Sequence, residues 1–329
     1  MLLCLALGII ILLSISLGSV YIPISEIFHI MLGKEAANPA WNRIIFDYRL
    51  PKSLTALIAG AALSLSGLQM QTLFRNPLAG PYVLGISAGA SLGVAILILA
   101  GISLSFVAGL FSTAAAAITG ASLVLILIMS IARRVRDNVS LLIIGLMIGS
   151  TTGAVLSVLQ YFSQAERIQS FIIWAMGSLG SLGWQEIPLM LAFLFIGFGI
   201  AIYKSRDLNA LLLGENYAKS LGISIERSRL WIILSAGILA GVVTAFCGPI
   251  AFIGLAAPHL ARILFDTSDH KILIPSSALI GALVLLCCDV VAQLPGSAKV
   301  LPINVMTSLI GAPIVIWLVV NSRNLKVRL

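Results

Sequence analysis

Long apolar runs alternate along this chain with short polar connections, and most show neither the period-2 alternation of strands nor a single polar helix face. Runs of this kind fall near residues 2–22, 53–73, 83–100, 106–132, 141–162, 187–203, 230–247, 250–265, 272–292 and 302–321. Coiled as helices, about 20 such residues match the ~30 Å hydrocarbon layer of a bilayer. The pattern therefore predicts an all-α integral membrane protein of ten spans, one polytopic domain over residues 1–329. The second and third spans are joined by a tight polar turn, Arg75-Asn76-Pro77-Leu78-Ala79-Gly80-Pro81. Its prolines cannot continue a helix and restrict the residue before each. Residues 23–52, with Lys34, Glu35, Arg43, Asp47, Arg49 and Lys52, read as a polar connection. The stretch Phe171 to Trp184 reads as an interfacial hairpin, since tryptophan favours the membrane boundary.

Composition agrees. Of 329 residues, 60% are hydrophobic and 10% charged, against about 25% charged in a soluble domain. The net charge of +8 does not point to nucleic acid, because the basic residues sit in short clusters between apolar runs. With the first residue inside, the inner connections hold Arg75, Arg133, Arg134, Arg136, Lys204, Arg206, Lys219, Arg227, Arg229, Arg262, Lys271, Arg323, Lys326 and Arg328, fourteen of the 20 Lys and Arg. That bias places both termini in the cytoplasm. The first run lacks a basic flank and a small-residue cleavage site, so it reads as a retained span rather than a signal peptide. Cys4, Cys247, Cys287 and Cys288 form no CxxC and lie within apolar segments, which argues against a zinc site or a disulfide framework.

Small residues recur every four positions: Gly85, Gly89 and Gly93; Gly145, Gly149 and Gly153; Gly237 and Gly241. Such stripes let helix backbones approach closely in lipid, where packing drives association; they serve either static seams or seams that slide during transport. Gly80-Pro81 before the third span and Gly248-Pro249 before the eighth hint at an inverted repeat of spans two to five against seven to ten. Gly85-Ile86-Ser87-Ala88-Gly89 has the G-x-S-x-G form of a hydrolase elbow, but that motif needs a strand–turn–helix setting. His29, His259 and His270 are scattered, without metal-ligand spacing. Asp289 stands about one turn from the outer end of its span, placed for either a structural or a functional role. No G-x-x-x-x-G-K-[ST] occurs, so ATP dependence would have to come from another chain. In the long inner connection Lys204 to Arg229, Gly214-Glu215-Asn216-Tyr217-Ala218-Lys219-Ser220-Leu221-Gly222 reads as a short helix between glycines. Tyr217 and Leu221 share a face suited to lipid or to a partner's groove.

Four pieces in order, RLPKSLTALIAGAALSLSGLQMQTLFRNPLAGPYVLGISAGA, GENYAKSLG, GPIAFIGLAAPHLARIL and LPINVMTSLIGAPIVIWL, resemble the FecCD-type permease, the membrane subunit of ABC importers for iron–siderophore, haem or cobalamin. The likeness runs from about residue 15 to 321. It implies the inverted-repeat type II importer permease fold, a homodimer, a pair of ATPase subunits carrying ATP and Mg2+, and an extracytoplasmic binding protein. This chain itself would hold no cofactor, no metal and no catalytic residue. By position, Asn76, Pro77 and Leu78 correspond to part of a cytoplasmic gate. Asn138 and Val139 fall at its other part, where a small hydroxylated pair is expected instead. Gly214, Glu215, Tyr217, Lys219, Leu221 and Gly222 correspond to the coupling helix seated on the ATPase. Arg49, Lys52 and Lys299 match outward cations that dock the binding protein, with Gln293 where an arginine is frequent. Gln69 and Met70 are expected along the translocation path. An ion-gradient-driven secondary transporter is the alternative; it would place paired ionisable residues or broken helices at the midplane.

Overall fold

The computed structural model describes residues 2–34, 37–101, 110–135, 137–293 and 299–321. Among them every regular element is helical. In chain order these are α1 (Leu2–Ser16), α2 (Ile24–Met31), α3 (Pro39–Leu73), α4 (Ile86–Leu99), α5 (Leu110–Ala132), α6 (Asn138–Tyr161) and α7 (Ala165–Ala175). There follow α8 (Ile187–Tyr203), α9 (Ser205–Leu212), α10 (Glu215–Ser220), α11 (Ile225–Cys247), α12 (Ile253–Phe265), α13 (His270–Ala292) and α14 (Ile303–Asn321). Helices α3, α5, α6, α11 and α13 are each long and apolar enough to cross a bilayer. The bent pair α8–α9 makes a further candidate, and α1, α4, α12 and α14 are shorter apolar helices.

The central post is α3. Its most apolar stretch is 89% buried, against 22% for α5 and 17% for α6, so α5 and α6 form the rim. A helix buried on every side needs small side chains on all faces, and Ala, Gly, Ser and Thr supply them here. Most of its hydroxyls are answered within the bundle: Thr55 donates to Pro51 O at 2.8 Å, Thr72 to Leu68 O at 2.9 Å, and Ser66 across to Ala236 O of α11 at 2.8 Å, whereas the buried Ser64 Oγ finds no partner among the described residues. Where α3 crosses its neighbours the backbones touch. A Cβ on Gly60 would lie 2.3 Å from Gly281 O of α13, and one on Gly67 would lie 1.8 Å from Gly254 O of α12.

Helix α3 starts far earlier than the predicted 53. The charges at Arg43, Asp47, Arg49 and Lys52 interrupt the apolar pattern but not the helix, which Asn38 caps by accepting from Ala40 N at 2.9 Å, with Pro39 in the first turn. A π-helical turn at Ile44–Arg49 precedes Pro51, where no N–H is available for the α-helical bond. The expected polar connection 23–52 is thus largely helical, with α2 lying amphipathically beside α1. The expected hairpin Phe171 to Trp184 begins as helix: α7 carries Phe171 and Trp174 and ends at Ala175, and Met176 to Glu186 is irregular.

Two non-helical segments enter the bundle. Residues 74–85 join α3 to α4, and residues 248–252 join α11 to α12. Helices α4 and α12, of 14 and 13 residues, are correspondingly short, about 20 Å each. Unpaired backbone at membrane depth is tolerated only where protein satisfies it. Here the Tyr82 hydroxyl accepts from Ile250 N at 3.0 Å and donates to Ile250 O, and Asn304 Oδ1 accepts from Ala251 N at 3.0 Å. The two Gly-Pro segments noted in the sequence therefore meet: a Cβ on Gly254 would lie 2.6 Å from the Pro81 ring.

Replacing Gly67 by Ala should cost about 1–3 kcal/mol through forced separation of α3 from α12. Gly199→Ala, where a Cβ meets nothing within 4 Å, should be neutral. Thermal unfolding of both variants in detergent checks this; equal melting temperatures would refute the crossing.

Candidate functional site

The C-terminal end of α3 leads into the turn that the sequence singled out. Arg75 takes a left-handed conformation (φ 47°), and Asn76 closes the turn by accepting from Leu78 N through its side chain at 2.9 Å, the local hydrogen bond for which Asn is favoured in turns. Leu78 projects, 46% exposed, while Asn76 and Pro77 are half-buried. Helix α12 clamps the turn. His259 Nε2 donates to Pro77 O at 3.0 Å, and Arg262 donates to Gln71 Oε1 at 2.7 Å. A cavity of about 180 Å³ lies between the turn and the second unwound segment, lined by Leu78, Gly80, Pro81, Tyr82, Ala251 and Phe252 among others.

Asn138 opens α6. Asp137 caps that helix, accepting from Ser140 N at 2.7 Å and Ser140 Oγ at 2.9 Å, and these bonds hold its carboxyl below the usual carboxylate range. Asn138 turns inward and Val139 outward, 62% exposed. The two do not form one surface beside Leu78. Instead Asn138 Nδ2 donates to Leu73 O at 2.9 Å and to Glu215 Oε1 at 2.8 Å.

Glu215 begins α10, which is bracketed by Gly214 (φ 110°) and Gly222 (φ 77°), conformations that side chains other than glycine rarely adopt. Ala218 is buried against the bundle, while Tyr217 and Leu221 are 48% and 57% exposed and Lys219 is exposed as well. One face of α10 is thus anchored and the other left open. Glu215 also meets Arg229 of α11 at 3.3 Å, and Arg229 donates to Val135 O at 2.8 Å.

Sequence reasoning missed the second inner junction. Helix α9, bent 56° from α8, places Asn209 against the start of α13. Asn209 Oδ1 accepts from His270 N at 2.9 Å and lies 2.7 Å from His270 Nδ1, while its Nδ2 donates to Asp269 Oδ1 at 2.7 Å. Asp269 caps α13 through Lys271 N; that bond, then Asn209, keeps its carboxyl below the ordinary range. The buried His270 ring reaches Thr72 of α3 through Nε2 at 2.8 Å. The clue lay in the sequence as Asp269-His270 at a helix start, but nothing local there indicates Asn209 or Thr72.

The three expected docking cations part company. Arg49 is 8% exposed; it donates to Ser16 O at 3.0 Å, and to Ile15 O and Val20 O, capping the end of α1. Lys52 forms an ion pair with Asp289 at 2.9 Å, and Gln293 donates to the same carboxylate at 2.9 Å. Both cations are engaged inside the chain, an arrangement that charge alone could not reveal. Lys299 is exposed. Gln69 and Met70, expected along a path, are buried in the bundle at 1% and 0% exposure, because α3 is enclosed on every side. Among the described residues no group of three or more His, Cys, Asp or Glu could hold a metal ion.

Residues 6–321 match the FecCD transport family. The chain belongs to that family. A vitamin B12 import system permease protein, BtuC of Klebsiella pneumoniae, is 40% identical over 281 residues, 85% of this chain and 83% of the relative. A hemin transport system permease protein, HmuU of Yersinia pestis, is 35% identical over 315 residues, 95% of this chain and 94% of the relative. A solved structure described as an inward-facing metal-chelate type ABC transporter superposes with a TM-score of 0.85 at 32% identity, covering 97% of each chain. The FecCD resemblance and the all-helical permease fold expected from the sequence are therefore correct, and the chain is a multi-pass membrane protein.

Within this FecCD fold the Lys52–Asp289 pair ties α3 to α13 at the end opposite the Asn76-Pro77-Leu78 turn. Lys52→Met should destabilise the protein by about 3 kcal/mol by stranding a buried carboxylate. Lys52→Met with Asp289→Leu should recover most of that loss, as read by thermal unfolding in detergent. A single variant as stable as the parent would refute the pair's structural role.

Proposed function

We propose that this chain is the permease subunit of an ATP-driven importer that moves a bulky metal chelate (cobalamin, haem or iron–siderophore) into a bacterial cytoplasm. Two copies of the chain would pair, with both termini inside, and bind a pair of ATPase subunits and an external binding protein. The observation that carries this reading is α10: a short helix between two positive-φ glycines, anchored by Ala218 and open at Tyr217 and Leu221. It lies in a chain that matches a transport family from residue 6 to 321. An aromatic and a leucine on one exposed turn fit a groove in a partner protein. The cobalamin and haem alternatives rest on the names of the relatives, and the siderophore alternative on the family resemblance.

ATP binding would close the ATPase pair, and the motion would enter the permease through α10. The gate would comprise the Asn76-Pro77-Leu78 turn and Val139, which present side chains to the inner surface. The path would run between the two copies, beside the exposed faces of α6, a helix without a charged residue. Such a wall lets a bulky chelate pass without being held. Gln69 and Met70 would reach that path only if α3 turned or its neighbours parted. Lys299 would contribute to the docking face for the binding protein, whereas Arg49 and Lys52 would support that face from beneath.

The test is capture of the ATPase. Co-expressed with its cognate ATPase and purified in detergent, the chain should retain a pair of ATPase subunits per permease dimer. Tyr217→Asp with Leu221→Asp should weaken that grip roughly 30-fold, the ~2 kcal/mol of a buried anchor, and ATP-driven uptake of the three chelates into vesicles then names the cargo. A folded permease that holds no ATPase would overturn the reading in favour of ion-gradient uptake.

A further inference from the structure

The inner end of the bundle carries one junction through which every element of the proposed power stroke passes. Asn138 Nδ2 has two N–H bonds and uses both. One goes to Leu73 O, on the last residue of α3 before the gate turn; the other goes to Glu215 Oε1, on the first residue of α10. The same Glu215 oxygen meets Arg229, whose guanidinium holds Val135 O in the α5–α6 connection. Arg75, in the gate turn itself, lies beside the hinge: a Cβ on Gly214 would be 3.7 Å from its guanidinium. Positive-φ glycines at both ends set α10 off as a separate short segment, and Glu215 ties it by its side chain to Asn138 and Arg229.

We propose that Asn138 and Glu215 form the relay that converts displacement of α10 into movement of the gate turn. Asn138 is a positioning residue: it touches neither cargo nor nucleotide, and it acts by holding the end of α3 and the start of α10 on one amide group. The side-chain chemistry is specific. A hydroxyl at position 138 has a single hydrogen to donate and could hold Leu73 O or Glu215, not both at once. The amide bridges them, so a shift of Glu215 pulls on the α3 terminus. Arg229 adds a charge-assisted contact that keeps the carboxylate in place when the amide lets go. The relay rests on the permease reading above, because it presupposes an ATPase that moves α10.

The experiment uses the full complex of permease, cognate ATPase and binding protein in proteoliposomes, and reads chelate transported per ATP hydrolysed. Asn138→Ala and Glu215→Ala should each lower that ratio roughly tenfold, a coupling loss of ordinary size. The double variant should lose no more than either single, since both cut one link. Asn138→Ser, which keeps one of the two bonds and so guards against simple misfolding, should also lower the ratio, by a smaller factor. A ratio unchanged in Asn138→Ser and Asn138→Ala, or single losses that multiply in the double variant, would overturn the relay. So would a loss of transport that only tracks the amount of assembled complex in size-exclusion chromatography. If the parent permease captures no ATPase, the permease reading itself falls, and that outcome is visible before any variant is made.

Discussion

Close backbone approach at two glycine crossings is the constraint on which the rest of this bundle depends. In lipid there is little hydrophobic force between helices, so association relies on packing and on hydrogen bonds between segments. Gly60 against Gly281 and Gly67 against Gly254 bring α3 to α13 and α12 at distances that a methyl group would prevent. Once α3 is so enclosed, its other faces must be small or self-satisfied, hence the hydroxyls that bond back along the helix. Its inner end must then emerge between α6, α12 and α13. The Asn76-Pro77-Leu78 turn, its clamp on α12, the His270 contact and the Asn138 bridge all follow from where those crossings place Leu73.

The same enclosure permits two stretches of non-helical backbone inside the bundle. The first unwound segment and α14 supply what the second lacks. Tyr82, from the first, answers both polar groups of Ile250 in the second, and Asn304 takes the next N–H. Positive φ at Gly248 and Phe252 is the local consequence of turning the chain in so little space, and α14 packs on Phe252 through Gly311. A hydrophobic tyrosine with one polar end suits such a place, where the ring fills volume and the hydroxyl serves backbone.

What could be read from the sequence was whatever acts locally. Apolar length, the Pro-Gly turn and the bias of Lys and Arg are properties of adjacent residues, so the helices and the two unwound segments were legible, and ordered motifs carried the family. The start of α3 was misjudged because four charges in fourteen positions look like a loop, although Arg49 and Lys52 in fact point into the protein. Their partners, the carbonyls of α1 and Asp289 of α13, lie far away in sequence, and charge pattern carries no information about distant pairing. The same holds for Asn138. Its departure from a small hydroxylated residue was visible at once, yet its meaning depended on Leu73 and Glu215, 65 and 77 positions away. Gln69 and Met70 looked like path residues because a polar or flexible side chain in a span suggests a lumen; burial on all sides of α3 places them in packing instead.

The two ends of the bundle are held by different physics. At the Lys52 end a buried ion pair and an arginine that caps α1 fasten α1, α3 and α13; parting them would strand charge in a poorly solvated place, a cost of several kcal/mol. At the Leu73 end many links are amide, hydroxyl and imidazole hydrogen bonds, each contributing about 1 kcal/mol net and able to exchange partners, beside the charged contacts of Arg229 and Arg262. An element can occupy two discrete arrangements only where neither strands an unsatisfied group. The hydrogen bonds to Leu73 O and Pro77 O meet that condition, whereas the Lys52–Asp289 and Glu215–Arg229 pairs do not. Parting α3 from α13 near Lys52 therefore costs more than exchanging the hydrogen bonds around Leu73 and Pro77.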